Sequence, residues 1–238
     1  MLTDLFKNKR IMLVVAHPDD EILGLGSTLN KLITDYGVIA HVIILGEGIT
    51  SRSDNRNPEY WKEELAIHNA NIRSAQKAIG YQSVSCYSLP DNRFDTVALL
   101  DIIKIIEVEK ERFSPEIIFT HHGGDVNIDH QRTFEAVITA CRPMAQEHVN
   151  TIITFETPSG TEWRASTDPK HFIPNLIIEI SEKALKAKID AMECYEFEKR
   201  KYPHPRSPDA LKIRAQMWGI ANGVNLAEAF VLVRCVIN

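Results

Sequence analysis

The 238-residue sequence predicts an α/β protein built on a mostly parallel sheet covered by helices on both faces. Three observations carry that prediction. Short β-branched runs such as RIMLVVA, VIAHVIILG and PEIIFT alternate with longer amphipathic stretches. The runs are continuously apolar, as strands buried on both faces are. Helix punctuation falls between them, with Gly37 and Gly80 closing helical patterns and Ser181 opening one.

In order, RIMLVVA is a buried strand. ILGLGSTLNKLITDYG carries Leu25, Leu29 and Leu32 at helical spacing and stops at Gly37. VIAHVIILG is a second strand and ITSRSDNRNPEYW a polar loop, with Pro58 suited to a first helical turn. A helix is expected from about Glu59 to Ile79, then the strand SVSCYSL, the loop PDNRFD and a helix over TVALLDIIKIIEVEKERF. PEIIFT, the loop HHGGDVNID and the helix HQRTFEAVITAC follow. TIITFE and NLIIEI are later strands, SEKALKAKIDAMECYEFEKRK an amphipathic helix, SPDALKIRAQMWGIANG a helix and AEAFVLVRCVIN the last strand. No repeat or linker divides the chain, and one domain over residues 1–238 is expected.

Composition narrows the function classes. Apolar residues make up 44% and charged residues 25%, and the net charge of −5 offers no basic footprint for nucleic acid. No apolar stretch is long enough to span a bilayer, and no signal-peptide pattern opens the chain. Cys86, Cys141, Cys194 and Cys235 form no CxxC pair and lie in or beside apolar runs, which reads as small core residues in a reducing, cytoplasmic setting.

In such sheets ligands bind beyond the carboxyl ends of the strands. The first strand ends in VVAHPDDEILGLGST, placing His17, Asp19, Asp20 and Glu21 together. GLGSTL lacks the third glycine of a dinucleotide turn, and the acids stand where a pyrophosphate would approach. Acids at this place also suit a helix N-terminus. A cation makes the crowding favourable. His17 and Asp20, three apart across a strand-to-helix turn, can point into one cleft, while Asp19 is free to act on a water. The loop THHGGDVNIDHQRTF repeats the pattern with His121, His122, Asp125, Asp129 and His130. His17, Asp20 and one histidine of that loop make a two-histidine, one-carboxylate site with a position open for water, and Asp129 can orient an imidazole.

AHPDDE together with NIDHQRT resembles the PIG-L (LmbE-like) family of zinc-dependent N-deacetylases over a Rossmann-like, three-layer core from about Lys9 to Ala140. The resemblance implies a hydrolase that removes acetyl from an N-acetylated amino sugar or its conjugate. It implies Zn2+, or Fe2+ at the same site, held by His17, Asp20 and His130, with Asp19 as general base and Asp129 as the acid beside the last ligand. Many members have histidine where this chain has Asn127. An amide can donate a hydrogen bond to an oxyanion but cannot serve as an acid near neutral pH, which leaves the proton donor open among His121, His122 and Asp19 itself. Arg52 and Asp91 are expected sugar or substrate contacts. Trp163 is expected to stack on a sugar or to pack in the core. His204 and Arg206, in YPHPRS, are expected to meet an anionic group or to form a structural turn, and His122 is a further substrate-contact candidate. His41, His68, His148 and His171 read as structural or surface. The partner expected is a small N-acetyl sugar, free, nucleotide-linked or lipid-linked, with no nucleic acid and no stable membrane insertion; self-association into a homo-oligomer stays open. Two rival readings remain: an iron-dependent enzyme on the same triad, and a non-catalytic binding protein of this fold.

Overall fold

The computed structural model describes residues 5–237. Seven strands form one sheet: β1 (Arg10–Val15), β2 (Ile39–Gly46), β3 (Ser83–Leu89), β4 (Ile117–His121), β5 (Thr151–Phe155), β6 (Leu176–Glu179) and β7 (Ala227–Cys235). Their order is β3-β2-β1-β4-β5-β7-β6. The first five are parallel, and β7 runs antiparallel to both β5 and β6. This is the mostly parallel α/β sheet that the continuous apolar runs predict.

Among the described residues, six α-helices lie between the strands: α1 (Asp20–Tyr36), α2 (Lys62–Ile79), α3 (Leu99–Phe113), α4 (Ile128–Ala140), α5 (Glu182–Glu193) and α6 (Pro208–Ala221). Side chains of β1 alternate between two cores. Ile11, Leu13 and Val15 pack with α1, α2 and α5, while Met12, Val14 and Ala16 pack with α3 and α4. Three layers result.

Punctuation acts where the sequence places it. Gly37 and Gly80, at φ 65° and 99°, donate their N–H groups to the Leu32 and Gln76 carbonyls and end α1 and α2. Ser181 and Ser207 cap α5 and α6.

Several boundaries differ from expectation, each for a tertiary reason. α2 begins at Lys62, because Pro58–Trp61 is held as a turn with Trp61 Nε1 donating to Ser53 Oγ at 2.8 Å. α3 begins at Leu99, because the Asn92 and Phe94 N–H groups are tied to the Asp129 carboxylate at 2.6 and 2.8 Å. α5 stops at Glu193 instead of running through Lys201, because Tyr195 turns into the core. The cysteines are free, and only Cys141 is fully buried; Cys86 is exposed because β3 is an edge strand. Among the described residues no helix is long and apolar enough to cross a membrane.

β1 pairs with β2 on one side and β4 on the other, so the chain order reverses there. That crevice at the strands' carboxyl ends is where such sheets bind ligands.

Candidate active site

Asp19 follows β1 in a left-handed conformation, φ 99° and ψ −25°. For a residue with a Cβ this carries strain of about 1–2 kcal/mol. Four contacts hold it: its N–H donates to Glu21 Oε2 at 3.1 Å, its carbonyl accepts from Ile22 and Leu23, and its carboxylate accepts from Arg206 Nη1 at 2.9 Å. The turn sends Asp19 into the cleft and Asp20 the other way, toward the histidines.

His17 Nδ1 and His130 Nε2 each lie 3.4 Å from Asp20 Oδ2, and ligand atoms of the three residues all fall within 4.8 Å of one another. Each imidazole is backed by a carboxylate on its other nitrogen. His17 Nε2 stands 2.8 Å from Asp129 Oδ2, and His130 Nδ1 stands 3.2 Å from Asp125 Oδ2. This is the histidine–carboxylate backing common around bound metals. Asp129 thus orients the histidine of the other loop rather than its own neighbour.

A second grouping, His17, Asp91 and Asp129, shares His17. There Asp129 already accepts from the Asn92 and Phe94 N–H groups, and Asp91 accepts from the Ser51 N–H and the Asn92 amide. In the first grouping, both ring nitrogens of buried His130 lack a hydrogen-bond partner of proper geometry. Orphaned nitrogens of this kind, facing a carboxylate and a second imidazole, fit a cation at His17, Asp20 and His130.

The electrostatics agree. Burial resists charge on His130, yet Asp20 and Asp125 outweigh it and lift the imidazole to about 9. Burial likewise opposes ionisation of Asp20, but His130 and His121 hold its carboxyl well below the ordinary range. A cluster that binds a proton this tightly is one a divalent cation can occupy by displacing it.

His121 lies under this group, fully buried and stacked on His130 at 3.9 Å and 9°. Its Nε2 accepts from the Ala16 N–H and its Nδ1 faces Thr157 Oγ1 at 3.0 Å, which defines a neutral tautomer. Burial and the nearby His130 depress it to about 4. It is a floor and does not reach the cleft. His122 turns away altogether, with its Nε2 on the Lys170 carbonyl and its ring edge on Phe172. Neither His121 nor His122 lines the cleft, which corrects the expectation of either as proton donor and of His122 as a substrate contact.

The cleft above has a volume of about 290 Å³, at the small end for ligand pockets. His17, Asp19, Arg52, Asp91, Asn127, Trp163, His204 and Arg206 all line it. Trp163 is 57% exposed and edge-on to His204, so it is a cleft wall and not a core residue. Asn127 has two tasks. Its Oδ1 caps α4 through the Asp129 N–H at 2.8 Å, and its amide nitrogen donates to Asn92 Oδ1 at 3.1 Å, which leaves one amide hydrogen for the cleft.

Three further residues join the site, none of which the sequence reading gave a role in it. Asp125 backs His130 and accepts from Thr161 Oγ1 at 2.6 Å; it stood within the second motif. Glu198 bridges Arg52 Nη2 at 2.6 Å and Arg206 Nη1 at 2.8 Å. Burial raises its proton affinity, but His68, Arg206 and Arg52 bring it down to about 2. His68 is buried beside it, 3.5 Å from Glu198 Oε1, and lines the cleft. No local signal marks Glu198 or His68. Burial pushes Asp19 well above the ordinary carboxyl range even with Arg206 pulling it down. Glu21, held by Tyr195 Oη and the Asp19 N–H, is likewise raised by burial to about 7 and supports the turn.

Residues 12–141 match the family described as PIG-L: GlcNAc-PI de-N-acetylase. A protein of Escherichia coli (strain K12), the uncharacterized deacetylase YaiS, is 27% identical over 199 residues, covering 81% of this chain and 94% of that protein. The N,N'-diacetylchitobiose deacetylase from Pyrococcus horikoshii shares the fold with a TM-score of 0.74 at 16% identity, covering 95% of this chain and 84% of that one. So does GalB, the 4-carboxy-2-hydroxymuconate hydratase from Pseudomonas putida KT2440, with a TM-score of 0.72 at 18% identity over 97% and 98%. The fold therefore hosts more than one chemistry. The family match spans more than half of the sequence and contains both loops that build the cluster, and the chain belongs to the PIG-L deacetylase family.

Proposed function

We propose that this protein is a metal-dependent hydrolase that removes the N-acetyl group from an N-acetylated amino sugar or its conjugate, releasing acetate and a free amine. The observation that carries the reading is the His17–Asp20–His130 cluster, with the orphaned ring nitrogens of buried His130, at the base of a cleft into which Asp19 projects. His17 Nδ1, Asp20 and His130 Nε2 would hold a divalent cation, with zinc favoured by the nitrogen-rich set and iron a second occupant. When bound, such a cation polarises the amide carbonyl and brings the pKa of a water toward ~7.

The chain supplies the rest. Asp19 takes the water's proton at its carboxylate. Its raised proton affinity makes it a better base than an exposed aspartate, while the Arg206 contact keeps it ionised enough to act. The free amide hydrogen of Asn127 donates to the oxygen on which charge develops. With Asn127 unable to act as an acid and His121 buried in its neutral form, Asp19 returns the proton to the departing amine. The metal ligand Asp20 and the backing carboxylate Asp125, both held below the ordinary carboxyl range by the neighbouring imidazoles, stay ionised throughout. Trp163 offers a face for a sugar ring, and Asp91, Arg52 and His204 offer polar contacts at the rim.

The test pairs metal analysis with acetate release from N-acetylated sugars, nucleotide sugars and glycolipids. The expected result is close to one zinc or iron per chain, acetate from at least one substrate class, and Asp19→Asn retaining metal while losing 10²–10⁴-fold in turnover. Failure to bind metal after zinc is supplied refutes the mechanism. Full activity in Asp19→Asn refutes the role of Asp19.

A further inference from the structure

Helix α1, which delivers Asp20, is broken. Leu25 sits at φ −150° and ψ 22°, far from helical values near −63° and −42°. Sharp breaks in a helix fall at glycine–serine pairs or where side chains enter the backbone ladder, and both features meet here, with Gly24, Gly26 and Ser27 around Leu25 and two buried side chains on the ladder. Lys188 of α5 donates from Nζ to the Leu23 carbonyl at 2.8 Å, on the N-terminal side of the break. Glu228 of β7 accepts the Thr28 N–H at 2.7 Å, on the C-terminal side. The two side chains pair with each other at 2.6 Å, and both are buried.

A buried ion pair is seldom more stabilising than apolar residues of equal size, so its place in a core invites a positional explanation. The break isolates Asp20–Gly24 as a short first turn with its own direction. Gly24 lets that turn lie flat on Phe155, where an added Cβ would come within 2.3 Å of ring atoms. Phe155 meets His121 edge-on at 5.1 Å, and His121 stacks on His130. From the other side, Tyr195, just beyond α5, holds Glu21. The first turn of α1 is thus gripped between α5, β7 and the floor of the histidine cluster.

We infer that Lys188 and Glu228 are positioning residues that splint the break in α1 and thereby set the direction of Asp20 toward His17 and His130. The inference rests on the metal-site reading above. Neither residue touches the cluster; they act through the backbone of α1. An unbroken α1 would have to rotate its first turn and carry Asp20 with it.

The test uses Lys188→Met/Glu228→Leu, which removes both charges together, and Glu228→Gln, which weakens the splint with the smallest change of shape. Ile106→Ala, in the opposite core, serves as a stability control. Zinc affinity is measured by chelator competition well below each variant's Tm, followed by kcat and KM. The expected result is a 10–100-fold loss of zinc affinity in the double variant and a smaller loss in Glu228→Gln. kcat should fall with KM little changed, and Ile106→Ala should keep wild-type zinc affinity despite its lower Tm. A folded double variant, or a folded Glu228→Gln, with wild-type zinc affinity and kcat overturns the inference. Equal loss of affinity in Ile106→Ala overturns it as well, since any destabilisation would then suffice. Absence of zinc binding in the wild-type protein refutes the metal site itself, a distinct outcome.

Discussion

Glu198→Gln is predicted to shift the acid limb of the pH–rate profile downward. Asp19 and Glu198 bind the same Arg206 Nη1, at 2.9 and 2.8 Å, so their carboxylate oxygens lie no farther apart than 5.7 Å, the sum of those distances. The Glu198 charge raises the proton affinity of Asp19, and removing that charge lowers it. At 5.7 Å the repulsion is about 3 kcal/mol for an effective dielectric of 20, and about 0.7 kcal/mol in bulk water. These values correspond to about 2 and about 0.5 pKa units. Catalysis requires ionised Asp19, so activity rises with pH through its pKa. The limb in Glu198→Gln should therefore lie about 0.5 to 2 pH units lower. The plateau should also fall, because a weaker base takes the proton less readily. The assay is kcat/KM for an active N-acetylated substrate from pH 4 to 9, on zinc-loaded wild type and variant. A limb that stays in place or moves upward refutes the Asp19–Arg206–Glu198 coupling.

Three other outcomes are expected. Glu198 is depressed from an ordinary 4.5 to about 2, so its stabilisation is present above pH 4.5 and is lost as pH falls toward 2. Urea unfolding should show wild type more stable than Glu198→Gln by up to about 3 kcal/mol at pH 7, with the gap closing near pH 2.5. Asp125→Ala removes the carboxylate behind His130 Nδ1 and should weaken zinc binding 10–100-fold by chelator titration, with Asp19 untouched. Asn127→Ala should lose about 1 kcal/mol of stability with the cap of α4, whereas Asn127→Ser should recover the cap but not the amide donor. Turnover that recovers fully in Asn127→Ser would exclude the amide from catalysis.

The chemistry-bearing loops were legible in sequence because their signals are local. β1 and β4 are short apolar runs, and each ends in a dense group of histidines and acids whose crowding is favourable only with a cation to offset it. The six residues from His17 to Ile22 suffice to see that one acid is free while another faces the histidines, although the left-handed turn at Asp19 that sends them apart is visible only in the fold. The capping Ser181 and the glycines that end α1 and α2 were equally local and equally readable.

What sequence could not supply is long-range. Arg206 reaches Asp19 across 187 positions, and Glu198 joins Arg52 across 146. The stretch holding Glu198 reads as the tail of an amphipathic helix; burial of Tyr195 against Glu21 ends that helix and carries Glu198 over the cleft. His121 and His122 are indistinguishable by composition, and side-chain alternation at the end of β4 separates them, one to the floor of the cluster and the other away from it. The sequence by itself determined the strand–helix order, the two motif loops and the residue types able to hold a cation, since these depend on neighbours a few positions apart. Only the tertiary structure decided which carboxylate backs which histidine, which charges surround Asp19, and that a buried lysine and glutamate bracket the break in α1, because those depend on distances in space between residues the chain keeps far apart.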